Sequence, residues 1–195
     1  MNVTYTNRKG RLYYLCQGTT KTGRAHYYFA REPKGEPVAE IPEGYVIREN
    51  VNGQVSLGKV REPQILSKER AAVEDAVAKH PKARNYRVDV KEKRIVVYER
   101  DGPDLDDLAP LLRAFGRVTA SQRGSLQETL DKGARFTPVM RFTLLDREDR
   151  IFQTERWCYL GGIDDWIDIG SAGTLRRLAN KLVPLLGSDR LFEIL

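Results

Sequence analysis

Arg11-Leu12-Tyr13-Tyr14-Leu15-Cys16-Gln17, a connector Gly18-Thr19-Thr20-Lys21-Thr22-Gly23, and then Ala25-His26-Tyr27-Tyr28-Phe29-Ala30-Arg31 decide how the chain is read. Two runs rich in Tyr, Leu and Phe flank a stretch of glycine and threonine, which is the pattern of two strands joined by a turn. Asn7-Arg8-Lys9-Gly10 is a further turn just upstream. Residues 2–31 therefore read as an antiparallel β-meander. Tyr13 and Tyr14 are adjacent, as are Tyr27 and Tyr28. Side chains alternate along a strand, so one tyrosine of each pair falls on each face of the sheet. One face then packs inward and the other displays an aromatic.

The same stretch concentrates charge. Residues 1–36 hold seven basic side chains against two acidic ones, which is +5 of the +6 net charge of the 195-residue chain. A local basic patch raises the local anion concentration and steers acidic partners. Basic groups release counterions from phosphate, and exposed aromatics stack on unpaired bases. A three-stranded sheet can also enter a major groove. The candidate nucleic-acid-binding set is Arg8, Lys9, Arg11, Tyr14, Lys21, Arg24, Tyr28 and Arg31, with Tyr13 and Tyr27 as the alternatives if the strand register is shifted by one.

Further along the chain, Tyr45 to Glu49 and Gln54 to Leu57 flank Asn50-Val51-Asn52-Gly53, a hairpin signal. Pro63 interrupts the pattern and marks a soft boundary near 61–66. Ser67 reads as the N-cap of a helix that Pro81 ends, with Val73, Ala76, Val77 and His80 on one face. Tyr86 to Val90 and Arg94 to Arg100 read as a hairpin turning at Lys91-Glu92-Lys93. Leu105, Leu108, Leu112 and Phe115 mark a short helix that Pro110 limits. Residues 117–135 are polar and have no assignment. Thr137 to Leu145 and Arg150 to Leu160 form another hairpin, with Met140, Phe142 and Leu144 on one face. Gly161-Gly162 allows a bend, and Ile163 to Ile169 reads as a third strand. Leu175, Leu178, Ala179, Leu182, Val183 and Leu186 define the apolar face of the last helix, with Pro184 in its final turn.

The fold class is thus α+β. An N-terminal antiparallel β-meander is followed by helix-hairpin-helix and hairpin-helix units, packed as one or two compact bodies. The expected division is a small basic β-rich domain over 1–60 and an α+β domain over 61–195, with a sub-boundary near 117–135. At 41 % hydrophobic and 31 % charged residues the chain is globular rather than disordered. It has no apolar run of membrane-spanning length and begins with a polar segment. Cys16 and Cys158 form no disulfide framework or CxxC motif, which suits a reducing, cytoplasmic setting.

Other chemistries find few residues. Asp164, Asp165 and Asp168, with Glu155 nearby, are an acidic cluster without the spacing of a calcium loop. Asp89 and Lys91 with Glu74 or Asp75 resemble a metal-dependent nuclease only in residue type. Cys16 with His26 is the one conceivable nucleophile and base. His80 reads as a cap or a partly buried contact. No phosphate loop, dinucleotide fingerprint or nucleophile elbow occurs, so no cofactor or metal is expected. Trp157, Tyr159 and Trp166 read as core around the C-terminal hairpin, and the apolar ending Leu191-Phe192-Glu193-Ile194-Leu195 reads as docked on its own domain. The expected function is a non-catalytic intracellular binding protein whose basic-aromatic sheet contacts DNA or RNA. The alternatives are an adaptor for an acidic protein partner and, third, a metal-dependent nuclease using Asp75, Asp89 and Lys91.

Overall fold

A computed structural model describes residues 2–114, 119–160 and 163–193. Phe115, Gly161, Gly162, Ile194 and Leu195, which figured in the sequence reading, lie outside the described residues. The chain is α+β and opens with an antiparallel sheet: β1 (Thr4–Thr6), β2 (Leu12–Thr19) and β3 (Ala25–Ala30) follow one another as a meander. The short β4 (Glu36–Pro37) pairs with β2 beyond the end of β1, so both lie along one edge of β2 while β3 covers the other. A separate hairpin joins β5 (Tyr45–Glu49) to β6 (Val55–Lys59).

Asn7 ties that hairpin to the meander. It is 4 % exposed. Its Nδ2 donates to the Gly53 carbonyl at 2.6 Å, and its Oδ1 accepts from the backbone N–H of Lys9 and of Arg11. Gly53 sits at φ +77°, and a Cβ there would come within 2.9 Å of Asn7 Nδ2, so the turn needs glycine both for its backbone and for the approach. Asn7→Ala leaves three backbone groups short of a partner and should lower stability by about 2 kcal/mol. Urea unfolding followed by circular dichroism measures the loss.

Residues 63–102 supply α1 (Ser67–Ala78), β7 (Tyr86–Lys91) and β8 (Arg94–Asp101). The N-cap of α1 is Leu66, and Ser67 is the first helical residue. The capping oxygen comes instead from Glu69, whose Oε2 accepts from the Leu66 N–H at 2.8 Å. His80 is a partly buried contact. Its Nδ1 accepts from Lys82 N–H, so Nε2 carries the proton and donates to the Leu186 carbonyl at 3.2 Å.

The described residues of 103–134 include α2 (Ala109–Ala114) and α3 (Ala120–Gly133). Pro110 falls in the first turn of α2, where its missing N–H has no consequence. The unassigned polar stretch proves to be mostly α3. No residue of α3 is buried. Thr119 caps it reciprocally with Gln122, and Glu128–Lys132 and Gln127–Asp131 pair along it at i,i+4.

The rest is β9 (Arg135–Asp146), β10 (Ile151–Leu160), β11 (Ile163–Asp168), the two-residue β12 (Gly173–Thr174) and α4 (Leu175–Leu182). Pro184 lies in the 3₁₀ turn Val183–Leu185 that continues α4. Strands β7 to β11 form one antiparallel sheet in the order β11-β10-β9-β8-β7, with β12 beside β10. Helices α1 and α4 pack on one face of it. Val73, Ile95, Val97, Met140, Phe142, Phe152, Ala179 and Val183 are all fully buried there.

The chain divides into two compact units, Met1–Glu62 with Pro103–Ala134, and Pro63–Gly102 with Arg135–Leu195. The six-stranded sheet belongs to the second unit. Its β8–β9 pairing spans the segment 103–134. No helix among the described residues is long and apolar enough to cross a membrane.

Candidate nucleic-acid interface

Strand register assigns the tyrosines of the first sheet. Tyr5 pairs with Tyr13, Leu15 with Phe29 and Gln17 with Tyr27, so these residues share one face. That face is turned to the β5–β6 hairpin. The Tyr27 and Tyr45 rings lie 6.4 Å apart, and the Tyr5 hydroxyl donates to Glu49 at 2.9 Å. This bond to a carboxylate, helped by burial, raises the Tyr5 phenol above its ordinary value. Tyr14, Cys16, Gly18, His26, Tyr28 and Ala30 share the opposite face. Tyr14 and Tyr28 are therefore together on the face away from the hairpin, whereas Tyr13 and Tyr27 are not.

Tyr28 is held in place. Its hydroxyl donates to the Lys34 carbonyl at 3.0 Å. Gly35, at φ +79°, lets the chain pass: a Cβ there would lie 2.6 Å from the Gln17 carbonyl oxygen and 3.3 Å from the Tyr28 hydroxyl. The His26 ring stacks on Tyr28, with centroids 5.8 Å apart and planes 27° from parallel. The residue opposite His26 is Gly18, which has no side chain to cover the pair. The composition-based site did not include His26. The i,i+2 spacing of His26 and Tyr28 on one strand was the available signal.

The hairpin tip beside this pair is ordered. The Gly23 N–H donates to the Thr20 carbonyl at 2.9 Å, and Thr20 Oγ1 accepts from the Arg24 N–H at 3.0 Å. Lys21 and Arg24 are exposed at this tip, and Arg31 is exposed at the other end of β3. None of the three side chains pairs with a described residue. Arg11 is also exposed.

Arg8 and Lys9 are used differently. Arg8 Nε and its N–H both bond Glu49 Oε1, at 2.8 and 3.0 Å. Glu49 thus gathers Tyr5, Arg8 and the hairpin edge into one cluster. Lys9 Nζ donates to the Ala134 carbonyl at 2.7 Å.

The remaining candidates are not assembled. Cys16 is buried, its Sγ set against the Tyr14 carbonyl, while His26 stacks on Tyr28. Asp75 lies on α1, in a groove of about 460 Å³ bordered by α4 and flanked by Lys68, Lys79 and Arg176. Asp89 alternates with Val88 and Val90, which pack into the core, so its side chain leaves the opposite face of the sheet. Lys91 Nζ sits 5.4 Å from the Tyr98 ring centre. Asp164 and Asp168 share a face with Glu155, and Asp165 takes the other. Glu155 is bound by Arg141 and Thr143. Burial would raise its carboxyl, but those hydrogen bonds and the Arg141 charge outweigh burial and hold it below the ordinary range. No group of three or more His, Cys, Asp or Glu is placed to hold a metal ion among the described residues.

The tryptophans differ from expectation. Phe152 and Thr154 of β10 face the helices, so alternation turns Trp157 and Tyr159 to the other face. Trp157 and Trp166 meet edge to face at 5.1 Å, Arg141 lies 4.3 Å over Trp166, and Tyr159 is 66 % exposed. They are a half-buried cluster outside the core. At the C-terminal end Leu191 is buried in the core, while Phe192 is 55 % exposed.

No protein-family model matches this chain, and no curated protein or solved structure matches it either.

Proposed function

We propose that the chain is a non-catalytic nucleic-acid-binding protein that takes single-stranded DNA or RNA on the face of its N-terminal sheet turned away from the β5–β6 hairpin. The observation that carries this reading is the stacked His26–Tyr28 pair, fixed on the face away from the β5–β6 hairpin beside a tip bearing unpaired Lys21 and Arg24. Bases stack on Tyr28, His26 and Tyr14, because every base offers a π-face. In this reading Lys21 and Arg24 contact phosphates at the hairpin tip, and Arg31 does so at the other end of β3. Arg8, Lys9 and Arg11 add to the positive field without needing direct reach. Aromatic stacking requires unpaired bases, so single strands should bind more tightly than duplex.

The test is fluorescence anisotropy of labelled single- and double-stranded DNA and RNA over a salt series, with the strands run on a gel afterwards. Salt-sensitive binding with a slope equivalent to about three to six phosphates is expected. Tyr28→Ala should weaken single-strand binding by about 1–3 kcal/mol and leave the salt slope unchanged, because it removes stacking and no charge. Heparin binding without any oligonucleotide binding would instead favour the acidic-protein adaptor. Shortened strands would favour the nuclease.

A further inference from the structure

On the β10 face turned to the helices, Phe152, Thr154, Arg156 and Cys158 are each 4 % exposed or less. Arg156 is the anomaly among them. Its cross-strand neighbours are Met140 on β9 and Ile167 on β11, and the Phe192 ring lies over its guanidinium at 5.0 Å. Its Nε and Nη1 are sealed from solvent with no hydrogen-bond acceptor. Two residues earlier on the same face, Thr154 Oγ1 is sealed and without a partner as well.

Two arginines beside β10 are treated differently: Arg141 is bound to Glu155 and Arg150 to Glu69. Arg156 has no described carboxylate partner. A guanidinium does not lose its proton at any ordinary pH, and an uncompensated buried charge consumes a large share of a small domain's stability. Contact with one aromatic ring recovers only part of that. A buried water would supply acceptors but no countercharge. A single oxyanion supplies both, and it also offers an acceptor for a hydrogen bond from the Thr154 hydroxyl. One guanidinium balances one negative charge, whereas a phosphate dianion would leave a net charge among Met140, Ile167 and Phe192. Those apolar neighbours suit the hydrocarbon part of an organic acid.

We propose that Arg156 and Thr154, beneath Phe192, form a binding site for the carboxylate of a small monoacid. The probes are acetate and butyrate, titrated calorimetrically into the full chain at fixed ionic strength, with chloride and phosphate as comparison anions. Saturable carboxylate binding is expected, roughly tenfold or more tighter than either comparison anion. The thermal midpoint should rise as acetate is added. Arg156→Met should abolish the binding and, without acetate, melt at or above the wild type, because the uncompensated charge is gone. Arg156→Lys keeps the charge but loses the planar fork, so it should weaken binding about tenfold and serves if the methionine variant does not fold. No carboxylate binding by the wild type overturns the proposal and leaves water as the partner of these groups. Equal binding of all anions, or undiminished binding in Arg156→Lys, overturns it as well.

Discussion

Glu69→Ala should destabilise the unit that contains α1 by about 3 kcal/mol at neutral pH. Glu69 is 7 % exposed and does two things at once. Its Oε2 accepts the Leu66 N–H that opens α1, and both carboxylate oxygens accept from Arg150, at 2.8 and 2.5 Å. Arg150 also donates to the Gln64 carbonyl at 3.0 Å, which fixes the chain just before the helix. Removing the carboxylate strands a guanidinium, uncaps the helix and loosens the approach to α1 together. Glu69→Gln keeps an acceptor for Leu66 while losing the charge, so it should cost about half as much. Urea unfolding of the three proteins resolves the ranking.

The pH dependence of the same pair has a definite sign. Burial would raise the Glu69 carboxyl, but the bonds from Arg150 and Leu66 and the Arg150 charge outweigh it and hold it below its ordinary 4.5. A carboxyl depressed in the folded state contributes stability that is fully present above its unfolded value. That contribution is lost as pH falls through the lower, folded value. Glu155, depressed by Arg141 and Thr143, acts in the same direction. Wild-type stability should therefore decline as pH drops below about 4.5, and Glu69→Ala should decline less steeply over that interval.

Reversing the two tip charges together, Lys21→Glu with Arg24→Glu, should reduce the salt slope of oligonucleotide binding by about two and weaken affinity at least roughly tenfold at moderate salt. Neither side chain pairs with a described residue, and the turn is held by Thr20 through its backbone and hydroxyl. Unfolding should therefore be nearly unaffected. Arg8→Ala is the informative contrast. It breaks the contact with Glu49 that joins the first turn to the β5–β6 hairpin, so it should affect stability more than the salt slope.

Only part of the candidate site was legible in the sequence. Clustering of charge and the alternation of Tyr13-Tyr14 and Tyr27-Tyr28 located the sheet and gave each face one tyrosine from each pair. Which tyrosine faces outward depends on where the β5–β6 hairpin lies, and that contact spans tens of residues. The same non-local partners separate Arg8 and Lys9, held by Glu49 and the Ala134 carbonyl, from Lys21 and Arg24, which no described residue holds. Composition treats all four alike.

The fold shows the same division. The β9–β10 hairpin and α4 were legible because their apolar residues recur at one period over many positions. Helix α3 has no buried stripe, so periodicity was silent. Its signal was local, in the Thr119-x-x-Gln122 capping box. At Arg156-Trp157 alternation and hydrophobicity disagree. The large aromatic suggested core, but the phase set by Phe152 and Thr154 puts Arg156 inside and Trp157 outside. Where the two signals conflict, the phase set by neighbouring residues wins, because changing it would turn every other side chain of β10 to the wrong face.

Nucleic acid is proposed to meet the face of the first sheet that carries Tyr14, His26 and Tyr28, away from the β5–β6 hairpin. Backbone amide chemical shifts of the isotope-labelled chain, followed as a short single-stranded oligonucleotide is added, test it most directly. Progressive shifts are expected at Thr19 to Tyr28, centred on the Lys21–Arg24 tip and the His26–Tyr28 pair, with α1 and α4 unmoved. Shifts confined to the six-stranded sheet and its helices, or no shifts at low salt, would contradict it.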